Sequence, residues 1–169
     1  MKRPYGSRTR RWRCASVDQL CYVPSRWPLR RHTGIAPVKR TYYGRCHCGA
    51  VRFEADIDLS LGTYKCNCSI CTMNRFWPAI VKPGAFRLLA GESELTEYLF
   101  NTRKKRHLFC RHCGVRSFGI GQSLDGTVYG VNVMCLENLE VGELVTAPIT
   151  YVDGRNDNWQ SAPVETRHL

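Results

Sequence analysis

The chain has 169 residues, 43% apolar and 23% charged, which suits one globular domain with a core, or such a domain with a tail. Its net charge is +11, but residues 1–40 hold eleven Lys/Arg against one acid, Asp18, so +10 lies in that segment and +1 in all that follows; the basic pI is therefore no mark of a basic, nucleic-acid-binding fold. No apolar run approaches the roughly 18 residues that cross a bilayer, and the best apolar stretch near the N-terminus, Cys14 to Val23, is broken by Asp18 and Gln19, so neither a membrane partner nor a secretory signal is expected.

Residues 1–40 mix Arg, Pro, Trp and Ser without a sustained period of 2 or 3.6 and read as a disordered basic extension. Pro4, Pro24, Pro28 and Pro37 interrupt the amphipathic helix that an organellar transit peptide needs. Trp12 and Trp27 among arginines suit phosphate contacts and base stacking, so nucleic acid is expected, if at all, through this tail. An over-extended upstream reading frame would give the same patternless segment. Pattern starts near Thr41, which makes 41–169 the domain. Phe53, Ala55 and Ile57 alternate with Glu54 and Asp56, predicting a half-buried strand over 51–57. Ser69–Arg75 invites a helical turn. Strands are predicted at 79–82, 86–89 and 95–100, at 107–110 and 117–120 around a Cys-Gly turn, and at 127–135 after the hairpin signal Asp125-Gly126. Residues 148–163 read as loop, apart from a brief Ile149–Val152. The fold class is mainly β, built of small antiparallel sheets of short strands.

Eight of the ten cysteines follow residue 40, and seven fall in three clusters: Cys46/Cys48, Cys66/Cys68/Cys71 and Cys110/Cys113. Short spacings deliver two sulfurs from one tight turn, and the following Gly49 and Gly114 permit the positive φ that turns backbone amides toward sulfur. Zinc takes about four such ligands in a tetrahedron. By spacing, the two doublets sum to one closed four-thiolate site and the triplet supplies three ligands and leaves a position open, the pattern of a catalytic zinc; a pairing that mixes the clusters is the other partition the spacing allows. Two alternatives compete: disulfides, which ten cysteines without a secretion signal do not favour, and a second structural site completed by a histidine or by Cys135. His47 and His112 sit inside knuckles already supplied with cysteine. His107 either faces the site or is an ordinary strand residue.

Three segments, Gly44-Arg-Cys-His-Cys-Gly-Ala-Val-Arg-Phe53, Cys66-Asn-Cys-Ser-Ile-Cys71 and Leu108-Phe-Cys-Arg-His-Cys-Gly-Val115, resemble the glutathione-dependent formaldehyde-activating enzyme family. Phe86-Arg-Leu-Leu, Tyr98-Leu-Phe-Asn-Thr102 and Val131-Asn-Val-Met-Cys-Leu136 look like its branch that includes centromere protein V and bacterial relatives. The resemblance runs from Tyr42 to Asn138, 97 of 169 residues. It implies the β-tent fold, a structural zinc on Cys46, Cys48, Cys110 and Cys113, and a second zinc on Cys66, Cys68 and Cys71 where the chemistry is placed. It also implies a carbon–sulfur lyase-type reaction joining a thiol, glutathione, to formaldehyde in formaldehyde detoxification. One departure is Gly119-Ile-Gly-Gln-Ser123, where relatives of this branch often carry an aromatic and a Pro-Arg pair.

Such a reaction suits the triplet, because a thiol beside a metal ionises at neutral pH and its thiolate attacks an aldehyde carbon. An anionic thiol calls for cations, for which Lys65, Arg75 and Arg103-Lys104-Lys105-Arg106 are candidates, against a solvated hairpin turn for the run. Asn67 and Ser69 either donate to a bound thiol or alkoxide or brace the local turn. Phe76 and Trp77 either wall a pocket or pack the core. The alternative to an enzyme is a zinc-stabilised binding module whose basic tail contacts an acidic partner. A cytoplasmic location follows from free thiols without a secretion signal.

Overall fold

Alternation of apolar and polar residues builds the first sheet, and the computed structural model, which describes residues 38–123 and 125–169, shows how the rest is arranged around it. In chain order the strands are β1 (Arg40–Arg45), β2 (Arg52–Ile57), β3 (Thr63–Cys66), β4 (Pro78–Val81), β5 (Phe86–Ala90), β6 (Leu95–Tyr98), β7 (Arg106–Cys110), β8 (Phe118–Ser123), β9 (Gly126–Asn132) and β10 (Ile149–Val152), with short helices α1 (Ser69–Asn74) and α2 (Val141–Thr146). The expectations for residues 1–37, the basic extension and its partners, lie outside the described residues.

Strands β1, β2 and β5 form one antiparallel sheet and β4-β9-β8-β7-β6 a second. Phe53, Ala55 and Ile57 point inward from β2 and are almost fully buried, as the alternation predicts. They meet the second sheet through an aromatic cluster: Phe86 stacks on Phe53 at 5.5 Å and on Tyr129 at 4.4 Å, and Phe118 lies 4.7 Å from Phe86. Such pairs add about 0.5–1.5 kcal/mol each beyond area burial, which makes this cluster the joint between the sheets. The architecture is mainly β with small sheets, as expected.

The expected strands all form, with their ends moved by a few residues. The last one stops at Asn132, whose side-chain oxygen accepts from the Met134 amide and bends the chain into a tight turn over Val133–Cys135. Two features differ from the sequence reading. Helix α2 forms where no element was predicted, its first turn closed by the Glu140 amide donating to the Glu143 carboxylate at 3.0 Å. Strand β3 pairs with β10 in parallel, 86 residues apart at Thr63 and Ile149, and this pair carries one wall of the site. No helix among the described residues is long and apolar enough to cross a membrane.

Candidate active site

Two groups of cysteines converge. Cys46, at the end of β1, and Cys48 meet Cys110, at the end of β7, and Cys113, with all four sulfurs within 4.8 Å of one another. Cys46 and Cys48 sulfurs are 3.5 Å apart, and Cys48 and Cys110 sulfurs 3.6 Å. A zinc tetrahedron with bonds of about 2.3 Å sets sulfurs about 3.8 Å apart, so this cluster fits the metal. The turns do what the glycines permit: Gly49 and Gly114 have φ of +79° and +71°, their amides close onto the Cys46 and Cys110 carbonyls, and the Val51 amide donates to the Cys46 sulfur at 3.3 Å. Cys46 and Cys110 are buried, Cys113 is half-buried and Cys48 is exposed. His112 turns away from the sulfurs and pairs with Glu94.

The second group is Cys66 at the end of β3, Cys68 at the N-terminus of α1 and Cys71 within it, three sulfurs also within 4.8 Å. No histidine or carboxylate joins them as a fourth donor among the described residues, and Cys135 belongs to neither group. All eight described cysteines are free, so the disulfide alternative finds no pair among them. The Cys68 thiol is held far below the ordinary range by hydrogen bonds from Cys66 and Cys71, against the opposing effect of burial. Three soft donors without a fourth fit a metal that keeps a position open.

A cavity of about 180 Å³ opens on these three sulfurs. Its floor is the face of the second sheet, including Ile80, Gly119 and Ile120, so the segment 119–123 that departs from the family pattern is strand β8 and part of the floor. One wall is the β6–β7 hairpin, where Lys105 sits 3.5 Å over the Trp159 ring. Trp159, in the stretch expected to be featureless loop, supplies the facing wall. Phe76 lines the same cavity and Trp77 a neighbouring groove of about 260 Å³ on the other side of Cys66 and Cys71.

The structure distributes the remaining candidates. Asn67, buried between two ligand positions, is committed to the C-terminal segment: it donates to Asp153 at 2.5 Å and accepts from the Arg155 amide at 2.9 Å. Ser69 is exposed and does not line the cavity. Lys65 and Arg75 reach the neighbouring groove, where they donate to the carbonyls of Leu169 and His168. Of the run 103–106, Arg103 and Lys104 are exposed, Arg106 pairs with Glu97, and Lys105 alone lines the cavity.

Two cavity residues stand out. His107 is 4% exposed, its Nδ1 has no partner, and burial together with the Arg116 charge pushes its pKa down to about 4, so the ring is neutral at physiological pH. Of its two sequence readings, the one that faces the site holds. Arg116 was not a sequence candidate. It is 9% exposed, its guanidinium lies 3.6 Å over the Phe76 ring, and Nε and Nη1 have no hydrogen-bond partner. Burial lowers its pKa, and the sulfurs of Cys71, Cys68 and Cys66 oppose that shift. Its one sequence signal is an arginine set among Val115, Ser117 and Phe118 at a strand start, where a solvated side chain has no room.

Comparison with known proteins agrees with this geometry. A crystal structure of a Rhodobacter sphaeroides protein superposes with a TM-score of 0.55 at 34% identity, covering 64% of this chain and 99% of that one. The family model described as glutathione-dependent formaldehyde-activating enzyme matches residues 41–150, which include both cysteine groups, His107 and Arg116 and end before Trp159. With more than half of its length matched, the chain belongs to the glutathione-dependent formaldehyde-activating enzyme family.

Proposed function

We propose that this protein is a zinc-dependent enzyme of the carbon–sulfur lyase type that condenses a thiol, glutathione, with formaldehyde or a related aldehyde at Cys66, Cys68 and Cys71. The observation that carries this reading is a three-sulfur group facing a cavity, in a chain whose other group already has four sulfurs. Cys46, Cys48, Cys110 and Cys113 would hold the structural zinc. A zinc on Cys66, Cys68 and Cys71 supplies an open position and lowers the pKa of a substrate thiol.

The chain's own residues do the rest. The apolar floor and Trp159 keep water from the reacting sulfur. The thiol gives up its proton to solvent at the cavity mouth as it enters as thiolate, the sulfur–carbon bond forms as the carbonyl π bond breaks onto oxygen, and that oxygen takes up a proton in turn. Nothing else is consumed, so the product is the S-hydroxymethyl thiol. Asn67 acts as a brace, holding Asp153 and Arg155 so that the Trp159 segment stays against the cavity. Eight described cysteines without a disulfide suit a reducing, cytoplasmic setting.

The test is formaldehyde-dependent loss of glutathione thiol with purified protein and with Cys68→Ala. We expect turnover with the first and the buffer rate with the second. Equal rates for both and for buffer would sink the enzymatic reading and favour a zinc-stabilised binding module.

A further inference from the structure

The cavity contains a buried cation that no carboxylate balances. Among the described residues Arg116 forms no ion pair, although it is nine-tenths buried and two of its three guanidinium nitrogens lack a hydrogen-bond partner. A guanidinium is not left in that state without an anion to face, because desolvating it is costly and removing water gives nothing back. Arg116 lines the same cavity as the sulfurs of Cys66, Cys68 and Cys71, which carry negative charge as thiolates when they hold a metal. The position is fixed from three sides. Phe76 packs beneath the guanidinium at 3.6 Å, and the Arg116 carbonyl accepts from Asn132 at 3.1 Å. Gly119 leaves the space beside it free, since a Cβ there would lie 2.8 Å from Nη2.

Charge bookkeeping says what such an arginine does. Three thiolates around a divalent metal keep one net negative charge. A fourth sulfur entering as thiolate brings a second into an apolar cavity, where repulsion is poorly screened. We propose that Arg116 is the charge-compensating residue of the Cys66/Cys68/Cys71 centre, the feature that lets a substrate sulfur join as thiolate. It makes the three-sulfur centre neutral before the substrate arrives and leaves one negative charge afterward. The ligand class is any small thiol, and the recognised feature is the sulfur's charge rather than a carboxylate elsewhere on the molecule. This rests on the thiol–aldehyde reading above and adds to it the residue that sets thiolate affinity.

The test uses the full chain loaded with cobalt(II), whose sulfur charge-transfer absorption grows when another thiolate joins. Wild type, Arg116→Gln and Arg116→Lys are titrated at one neutral pH with glutathione and with 2-mercaptoethanol, which has no carboxylate. The expected result is that Arg116→Gln binds both thiols about tenfold or more weakly, while Arg116→Lys stays within about threefold of wild type. Loss of the second cobalt alone in Arg116→Gln, restored in Arg116→Lys, is the same charge effect in a stronger form and supports the proposal. If Arg116→Gln does not fold, Arg116→Lys decides: retained thiol binding supports the proposal and lost binding overturns it. Three other results overturn it: wild-type affinity in Arg116→Gln, weakening toward glutathione alone, or equal weakening in both variants. A wild-type protein showing no absorption change with either thiol overturns instead the thiol–aldehyde reading on which the proposal rests.

Discussion

The two cysteine groups are made from the same side chain at similar spacings, yet they sit in opposite surroundings. Cys46, Cys48, Cys110 and Cys113 supply a full tetrahedron, join the ends of β1 and β7, and leave Cys48 in solvent, where water screens their charge. Cys66, Cys68 and Cys71 are half-buried, one donor short, and share a cavity with a buried guanidinium. The difference teaches that the two groups are set apart by their surroundings as well as by their number of sulfurs: one joins two sheets, the other shares a cavity with a buried guanidinium.

Substitutions break the comparison at its strongest point. Cys46→Ser removes a buried ligand from the staple, and we expect a fall in melting temperature of more than about 10 °C, or no folded protein. Cys68→Ala is expected to melt within about 3 °C of wild type, to hold one metal equivalent instead of two, and to lose formaldehyde-dependent thiol consumption altogether. Equal destabilisation by the two variants, read by thermal denaturation, would erase the distinction. A mild chelator sharpens it in the unaltered protein: the metal on the triplet should leave first, and thiol consumption should fall with that first equivalent.

Smaller effects probe the cavity. Neutral His107 favours the folded state wherever the unfolded ring, with a pKa of about 6.5, is protonated only in part or not at all. Its folded pKa is depressed to about 4, so its contribution is full above about pH 6.5 and is lost as pH falls toward 4. His107→Gln should therefore flatten the stability profile in that window, by at most about 3 kcal/mol, in thermal melts compared with wild type at each pH. Trp159→Ala opens a wall without touching sulfur, and we expect the KM for the thiol to rise roughly three- to tenfold with little change in kcat. The smallest effect concerns residues 1–37: a chain beginning at Val38 keeps Arg40 and its ion pair with Glu143, and should match the full chain in melting temperature and metal content.

What the sequence discloses follows from how local each cause is. Strand β2 was legible because its period of 2 lies within six residues, and β9 because Asp125-Gly126 announces its turn. Both sulfur groups were legible because short cysteine spacings are local, although nothing local says which doublets meet. Strand β3 was not legible: it has four residues, its burial does not alternate, and its partner lies 86 positions away. Helix α2 begins on Glu140, outside the usual capping set. Arg116 and Trp159 acquire their roles only when the second sheet, α1 and the C-terminal segment close around one space, so the residues that distinguish the two groups were the hardest to read.

The β3–β10 pair carries a consequence for the order of assembly. Its four residue pairs join segments 86 positions apart, whereas β8 and β9 are joined by a tight hairpin. Closing the longer loop costs more chain entropy before any contact rewards it. The β8–β9 hairpin can therefore form first, with the Trp159 segment still detached and the cavity unmade. On unfolding the sequence reverses, and amides of β10 should exchange with solvent deuterium before those of β8 and β9. The wall of the cavity is thus expected to be the last part of the site to fold and the first to open.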